Sequence, residues 1–319
     1  MRALRFHQYG PPSVLALEDI EAPAPTAGEV LVEVHASPVN PSDVKMVSGI
    51  FEPSLPRTPG RDYAGIVVSG DARWKGKAVW GSGAGFGVHR DGAHAELVTV
   101  PSSWLSESPS GLAMDEAATI GVPYIVAWAA LVDAAALQAG ETVLVTGAMG
   151  AVGRAARQIA RWRGARVIGA DITIHGRAPS PNEAFVDMKA QDLVTEVKAL
   201  TDGKGADVVL DVVGGPVFES ALRSLALGGR QVVIASVGQR RVGLDLVDFY
   251  HQRQRLIGVD TAKLEGHELA AIMNELRVGF EEGQLEAPPT KRWPLERAPE
   301  VYAAVANGDT SARHVLVPR

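Results

Sequence analysis

The residues with the clearest chemical meaning lie between Thr142 and Gly153, T-V-L-V-T-G-A-M-G-A-V-G. Thr142 to Thr146 form a run of strand-favouring residues. Gly147, Gly150 and Gly153 follow, and Val152, Ala155, Ala156, Ile159 and Ala160 then repeat at helical spacing. A glycine turn between a strand and a helix lets backbone N–H groups approach an anion closely, and the helix N-terminus adds its partial positive charge. The anion suited to such a unit is the pyrophosphate of a dinucleotide. Gly147, Met149, Gly150, Ala151, Val152 and Gly153 are therefore candidate cofactor-binding residues. Gly153 has a separate expected task, to let the helix pack close to the strand. The spacing is G-x-x-G-x-x-G rather than the strict G-x-G-x-x-G, so the flanks must supply the specificity. They do: a second apolar strand, Arg166–Ala170, ends at Asp171, 18 residues after Gly153. A carboxylate there can accept the ribose hydroxyls of NADH and would repel a 2′-phosphate. Arg177, six residues on, is the nearby cation that would offset this preference.

The elements that must hold this unit are legible in outline. With 319 residues the chain is long enough for two domains. Up to about residue 110 it reads as mostly β. Val30, Val32 and Val34 alternate with Leu31, Glu33 and His35, and short apolar runs recur at Gly65–Val68, Ala78–Trp80 and Ala95–Val100, punctuated by prolines and glycines. From Met114 to Leu137 the pattern predicts a helix broken near Pro123. Strands are then expected at 142–146, 166–170, 184–187, 207–211, 231–235 and 255–259, with helices at Asp192–Leu200 and Pro216–Leu227. Strands interleaved with helices imply a parallel, doubly wound (Rossmann) sheet. Thr173–Asn182, with Pro179 and Pro181, allows only a short or broken helix. An amphipathic helix is expected at Leu269–Leu276, and a last strand, His314–Val317, returns to the first domain.

Bulk properties narrow the function. Hydrophobic residues make up 46% and charged residues 21%, and the net charge of −6 argues against nucleic-acid binding. The sequence has no cysteine, which excludes disulfides, thiolate metal ligands and a cysteine nucleophile. The N-terminus lacks the apolar core of a signal peptide, and the uncharged stretch Ala117–Val132 is too short for a membrane span. A cytoplasmic protein is expected, with no membrane partner.

V-N-P-S-D at 39–43, L-P-R-T-P-G-R-D-Y-A-G at 55–65, D-G-A-H-A-E-L-V at 91–98, the glycine turn, G-A-D-V-V-L-D-V-V-G-G at 205–215 and L-I-G-V-D at 256–260 together resemble the medium-chain dehydrogenase/reductase superfamily, in its zinc-free quinone-oxidoreductase branch. The resemblance runs along nearly the whole chain. It implies an α/β protein with a GroES-like, mostly-β catalytic domain from both chain ends (1–120 and 261–319) and an inserted Rossmann domain (121–260). It also implies NAD(P)H-dependent hydride transfer to a quinone or an α,β-unsaturated carbonyl, and a homodimer formed through the Rossmann sheet edge; the apolar strand near 255–259 suits that edge and equally suits a buried sixth strand. The branch usually takes NADPH, against the lean to NADH from Asp171.

Zinc-dependent relatives hold the metal with a cysteine, a histidine–glutamate pair and a second cysteine. Here Asn40 stands near the first cysteine, and Arg61–Asp62 replaces His–Glu, so no zinc is expected. His89, His94 and Glu96 match no ligand spacing and are expected to be solvated loop residues. By resemblance, Asn40 and Asp43 line the active cleft, where Asn40 would polarise a substrate oxygen. As residues, N-P-S-D is equally a strong turn sequence whose side chains bond their own backbone. Phe51 stands where related enoyl-thioester reductases and many quinone reductases carry a tyrosine, so it cannot donate a proton. It is expected either to form an apolar wall for a flat acceptor or to pack in the core. Tyr63 and Tyr124 are the remaining candidate donors. Val126 replaces a threonine that relatives often place near the nicotinamide, leaving that ring to backbone groups around Val213–Gly214 and Ser236–Val237–Gly238. The competing functions are an enoyl-thioester reductase and a non-catalytic NAD(P)H-binding sensor.

Overall fold

The computed structural model describes residues 1–174, 182–309 and 311–318. The chain folds into two compact units, one comprising Met1–Ile125 with the chain from Ala262 onward, the other Val126–Thr261.

The second unit is built on six parallel strands. In spatial order they are Glu183–Asp187, Arg166–Asp171, Thr142–Thr146, Ala206–Asp211, Leu225–Val233 and Arg255–Gly258. Numbered along the chain this is order 3-2-1-4-5-6, the doubly wound arrangement, and it places the point where strand order reverses beside Thr142–Thr146. The inner strands read as continuous apolar runs because both faces are covered: Val143, Leu144, Val145, Val167, Ile168, Val208, Val209 and Leu210 are all buried. Helix Ala151–Trp162 packs on the first two strands with Ala155, Ala156, Ile159 and Ala160 inward, the spacing seen in the sequence. Helix Leu193–Leu200 is capped by Asp192, whose carboxylate accepts from Thr195 N–H at 2.9 Å.

Two expectations change. The helix expected over Pro216–Leu227 is a 3₁₀ turn, Gly215–Val217, followed by one short helix, Phe218–Arg223. Leu225 already belongs to the next strand, opposite Ala206. The apolar residues at 217, 221, 222 and 225 are all buried, but the last of them is buried by a sheet rather than a helix. The Met114–Leu137 stretch is Met114–Ala118, Gly121–Trp128 and a π-helical turn at Ala129–Ala134. Its break falls at Thr119–Ile120, so Pro123 sits in the first turn of a new helix, where its missing N–H costs nothing. Among the described residues no helix is long and apolar enough to cross a membrane. Most of the proline-bearing segment 173–182 lies outside the described residues.

The first unit is a mostly antiparallel sheet. Its strands run in the order Thr290–Pro294, Arg313–Val317, Glu29–Pro38, Asp62–Gly70, Ala78–Ser82 and Ser106–Glu107, with Leu97–Pro101 also paired to Glu29–Pro38. Val30, Val32 and Val34 face the core as their alternation requires. The last strand of the chain joins this sheet, with Val315 opposite Pro38 and Leu316 opposite Ser37. Helix Gly266–Glu281 extends beyond the expected Leu269–Leu276. It begins at a glycine because a Cβ there would lie 2.1 Å from the Trp104 ring.

A largely buried ion pair ties the fifth strand of the second unit to the residue before its first strand. Arg230 grips Glu141 in a bidentate pair at 2.8 and 2.7 Å and donates to the Ala135 carbonyl. Removing one partner strands a largely buried charge, so Glu141→Ala should destabilise the protein by about 3 kcal/mol. Chemical denaturation checks this; a loss near zero would mean that Arg230 finds water.

Candidate functional site

In the second unit the sequence's glycine turn is an elbow at the carboxyl end of strand Thr142–Thr146. Gly147 adopts φ +61°, a left-handed conformation. Gly150 is the N-cap of helix Ala151–Trp162, and no side chain caps the helix start. Among the described residues the first-turn N–H groups of Ala151, Val152 and Gly153 thus have no side-chain acceptor, which fits an anion such as a diphosphate. A Cβ on Gly153 would lie 2.2 Å from the Gly147 carbonyl oxygen and 2.8 Å from Ala148 Cα. The close approach that Gly153 permits is therefore onto the turn's own backbone, more local than the strand contact expected. Met149 departs from its expected role, because its N–H is already taken by Asp171 Oδ2 at 2.9 Å. Asp171 ends its strand as predicted, and its Oδ1 is engaged only by Thr173 N–H at 3.3 Å among the described residues. Arg177 lies outside the described residues.

Sequence reasoning missed the braces of this elbow. Arg157 stacks on Phe185 at 4.6 Å, donates to the Ala148 carbonyl at 3.2 Å and pairs with Glu183, which Arg161 also holds at 2.7 Å. The only sequence signal was two arginines one helical turn apart, which reads equally as a solvated face.

The loops after the fourth and fifth strands are locked together. Val237 N–H donates to the Val213 carbonyl at 2.8 Å, and Ser236 Oγ donates to the Gln239 carbonyl. Gly214 has φ +65°, and a Cβ there would lie 2.3 Å from the Ala235 carbonyl oxygen. Gly238 is also left-handed, at φ +72°, and Val237 is exposed. The N–H groups of Val213 and Gly214 point inward to Asp211 Oδ1, at 3.1 and 2.8 Å. They are not available to a ligand, which corrects that part of the expectation.

In the first unit, Asn40 and Asp43 form the N-terminal cap of helix Pro41–Val47. Asn40 is 2% exposed and Asp43 is fully buried. Asn40 N–H donates to Asp43 Oδ2 at 2.8 Å, its Nδ2 donates to Asp62 Oδ2 at 2.8 Å, and its Oδ1 accepts from Arg313. Both ends of the amide are committed inside the fold. The turn-forming alternative is realised for Asp43, whose carboxylate caps the Asn40 N–H, while the Asn40 side chain is held by Asp62 and Arg313. Asp62 accepts in addition from Ser82 Oγ and Val122 N–H. At the positions matched to zinc ligands there is thus an amide, a cation (Arg61) and a carboxylate already satisfied by protein donors. This donor set does not fit zinc.

The remaining candidates separate by burial. Phe51 is 41% exposed, beyond the end of the helix, so core packing is ruled out for it. Tyr63 is buried with its hydroxyl unpartnered, and burial holds that hydroxyl above its ordinary range. Tyr124 donates to the Glu286 carbonyl at 2.7 Å. Both hydroxyls are interior groups. His94 is not the solvated loop residue expected: it is fully buried, with Nε2 3.2 Å from the Pro38 carbonyl and Nδ1 2.8 Å from Tyr302 Oη. That pairing requires the neutral tautomer with hydrogen on Nε2, and burial pushes its pKa down to about 4. Glu96 accepts from Arg2 N–H at 3.0 Å and its guanidinium at 3.2 Å. His89 is exposed.

Asp43 carries the opposite charge penalty. Burial raises its pKa to about 7; the Asn40 N–H opposes the rise, Asp62 adds to it and Arg61 opposes it. Asp62 is raised for the same first reason, and Arg313 is lowered by burial against the pull of both carboxylates. An aspartate that stays protonated to about pH 7 when folded but ionises near 4 when unfolded costs stability as pH rises through that window. A neutral buried histidine costs stability as pH falls from 6.5 towards 4. In the wild type the two slopes oppose each other between about pH 4 and 6.5. Asp43→Asn removes one, so the variant should lose on the order of 2 kcal/mol more than wild type on acidification across that range. Urea midpoints at several pH values check this; parallel curves for the two proteins would refute it.

Comparison with known proteins agrees with both units. Residues 26–110 match the model of the alcohol dehydrogenase GroES-like domain, and residues 151–276 match that of the zinc-binding dehydrogenases. The chain is 32% identical to quinone oxidoreductase of Homo sapiens over 328 residues, covering 99% of this chain and 97% of that protein. It is 34% identical to a zinc-type alcohol dehydrogenase-like protein of Schizosaccharomyces pombe, covering 89% and 86% of the two. Among solved structures, AibC superposes over 100% of this chain and 96% of its own, with a TM-score of 0.89 at 27% identity. With its six-stranded doubly wound sheet, glycine elbow and GroES-like unit, the chain belongs to the medium-chain dehydrogenase/reductase superfamily, on its quinone-oxidoreductase branch, and is an NAD(P)H-dependent oxidoreductase of that type.

Proposed function

We propose that the protein is a zinc-independent reductase that delivers hydride from NADH to a quinone or an α,β-unsaturated carbonyl. The observation that carries this reading is the first unit's polar centre. Where zinc relatives place ligands, Asp62 is satisfied by Asn40, Ser82 and Val122, and Arg61 supplies a cation. A reaction that needs no Lewis acid is the one this centre suits. When bound, the nicotinamide supplies the hydride. The chain's part is to hold and orient. The N–H groups of Ala151, Val152 and Gly153 would face the diphosphate, and Asp171 Oδ1 would accept from a ribose hydroxyl. Phe51, exposed with Ile50 at the end of its helix, offers an apolar face to a planar acceptor. Because the hydroxyls of Tyr63 and Tyr124 are interior, the reduced acceptor takes its proton from solvent in this reading.

The cofactor lean follows from charge. Asp171 at the strand end disfavours a 2′-phosphate. A second copy of the chain is proposed on the strand Arg255–Gly258, whose far edge is unpaired among the described residues and is accompanied by exposed Leu246, Val247, Tyr250 and Leu256.

The test is loss of reduced-nicotinamide absorbance with a panel of quinones and enones. Turnover should persist after dialysis against a chelator, with a higher kcat/KM for NADH than for NADPH. Asp171→Ser should narrow that ratio by about tenfold, since it removes the repulsion of one close charge pair. Binding of nucleotide without turnover of any acceptor would favour the sensor reading, and loss of rate with the chelator would restore zinc.

A further inference from the structure

Asp211 is fully buried at the carboxyl end of the fourth strand of the Rossmann sheet, and its carboxylate collects four donors. Oδ1 accepts from Thr146 Oγ1 at 2.7 Å, from Val213 N–H at 3.1 Å and from Gly214 N–H at 2.8 Å; Oδ2 accepts from Gln231 Nε2 at 3.1 Å. Thr146, also fully buried, accepts in turn from Val212 N–H at 3.1 Å. Three consecutive N–H groups leaving the fourth strand are thereby tied to a side chain on that strand and to one on the first strand. Thr146 is the last residue before the elbow. Gly147 itself abuts the same loop, since a Cβ there would lie 3.2 Å from Val213 Cγ2 and 3.5 Å from Val212 Cβ.

An apolar pair at 146 and 211 would serve a structural sheet as well, without the desolvation of a buried carboxylate. What the polar pair adds is a fixed spacing between two loops, the elbow and the Val212–Gly214 turn. We propose that Thr146 and Asp211 are positioning residues: they set the distance between the site that grips a dinucleotide's diphosphate and the loop that supports its nicotinamide end. The inference rests on the dinucleotide reading above. It concerns only the ring end, because neither residue touches the helix N–H groups of the elbow.

The experiment compares Thr146→Val, which keeps shape and removes the hydroxyl, with Thr146→Ser, which keeps the hydroxyl. In the nucleotide-free protein, hydrogen exchange at Val212–Gly214 should speed up by about tenfold in the valine variant and stay near wild type in the serine variant. The Kd for ADP-ribose, which lacks the ring, should change by less than about twofold, whereas NADH should bind more weakly and kcat fall by up to about a hundredfold, as expected for a misplaced reactant. Asp211→Asn, which keeps an oxygen for the three Oδ1 donors and lets Gln231 turn its unpaired Oε1 to the new amide, should resemble the serine variant. Parallel weakening of ADP-ribose and NADH, or unchanged exchange and kcat in Thr146→Val, would overturn the positioning role. Failure of the wild type to bind either ligand would instead bring down the dinucleotide reading, and the inference with it.

Discussion

The second unit depends on one close backbone contact. At Gly153 the helix passes so near the Gly147 carbonyl that a single added carbon would overlap it. That contact lets helix Ala151–Trp162 begin directly at the strand end, with its first N–H groups uncapped by any side chain. A helix displaced outward by a side chain at 153 would carry those groups away from Thr146 and from Asp171. The anion-binding character of the elbow is thus a packing result before it is an electrostatic one. Arg157 holds the arrangement from outside, reaching the Ala148 carbonyl while its plane rests on Phe185.

Each unit also contains a buried carboxylate that organises loops. In the first unit Asp62 gathers Asn40, Ser82 and the start of the helix Gly121–Trp128; in the second, Asp211 gathers Thr146, Gln231 and two loop N–H groups. Burying a carboxylate is costly unless its oxygens are filled, and both of these are filled. Asp43 shows the alternative. One of its oxygens has no partner among the described residues, and burial raises its affinity for a proton, with Asp62 adding to the rise. Asp62 and Asp43 are buried to the same extent and burial raises both; they differ in the donors around them, Asp62 having Ser82, Asn40 and Val122 and Asp43, among the described residues, only the Asn40 N–H.

In the proposed zinc-independent reading, the interior must also do without a metal. Replacing metal ligands leaves polar positions in an interior that must be neutralised by other means. Here Asn40 bridges Asp62 and Arg313, so residues from three distant parts of the sequence close the gap with hydrogen bonds. In the proposed reading this network supports the surface on which an acceptor lies, and the apolar tip around Ile50 and Phe51 supplies contact rather than chemistry.

Much of the Rossmann unit was readable from the sequence. The glycine elbow, the six strands and Asp171 all announce themselves locally, because strand, turn and helix signals act over a few residues. The alternating valines of Glu29–Pro38 were equally plain. Pro216–Leu227 was misread because buried residues at helical spacing also fit a short helix followed by a strand, and only pairing with Ala206 decides between them. The side-chain roles were the least legible. Asn40, His94 and Asp211 look like turn, loop and strand residues in the chain, and their partners Arg313, Tyr302 and Thr146 are far away in sequence. Local propensity and periodicity are written into neighbouring residues, so the sequence alone determined most of the elements, and its motifs carried the resemblance to the family. Which polar groups are consumed inside the fold and which remain for a ligand depends on contacts between distant segments, and only the tertiary structure decided that.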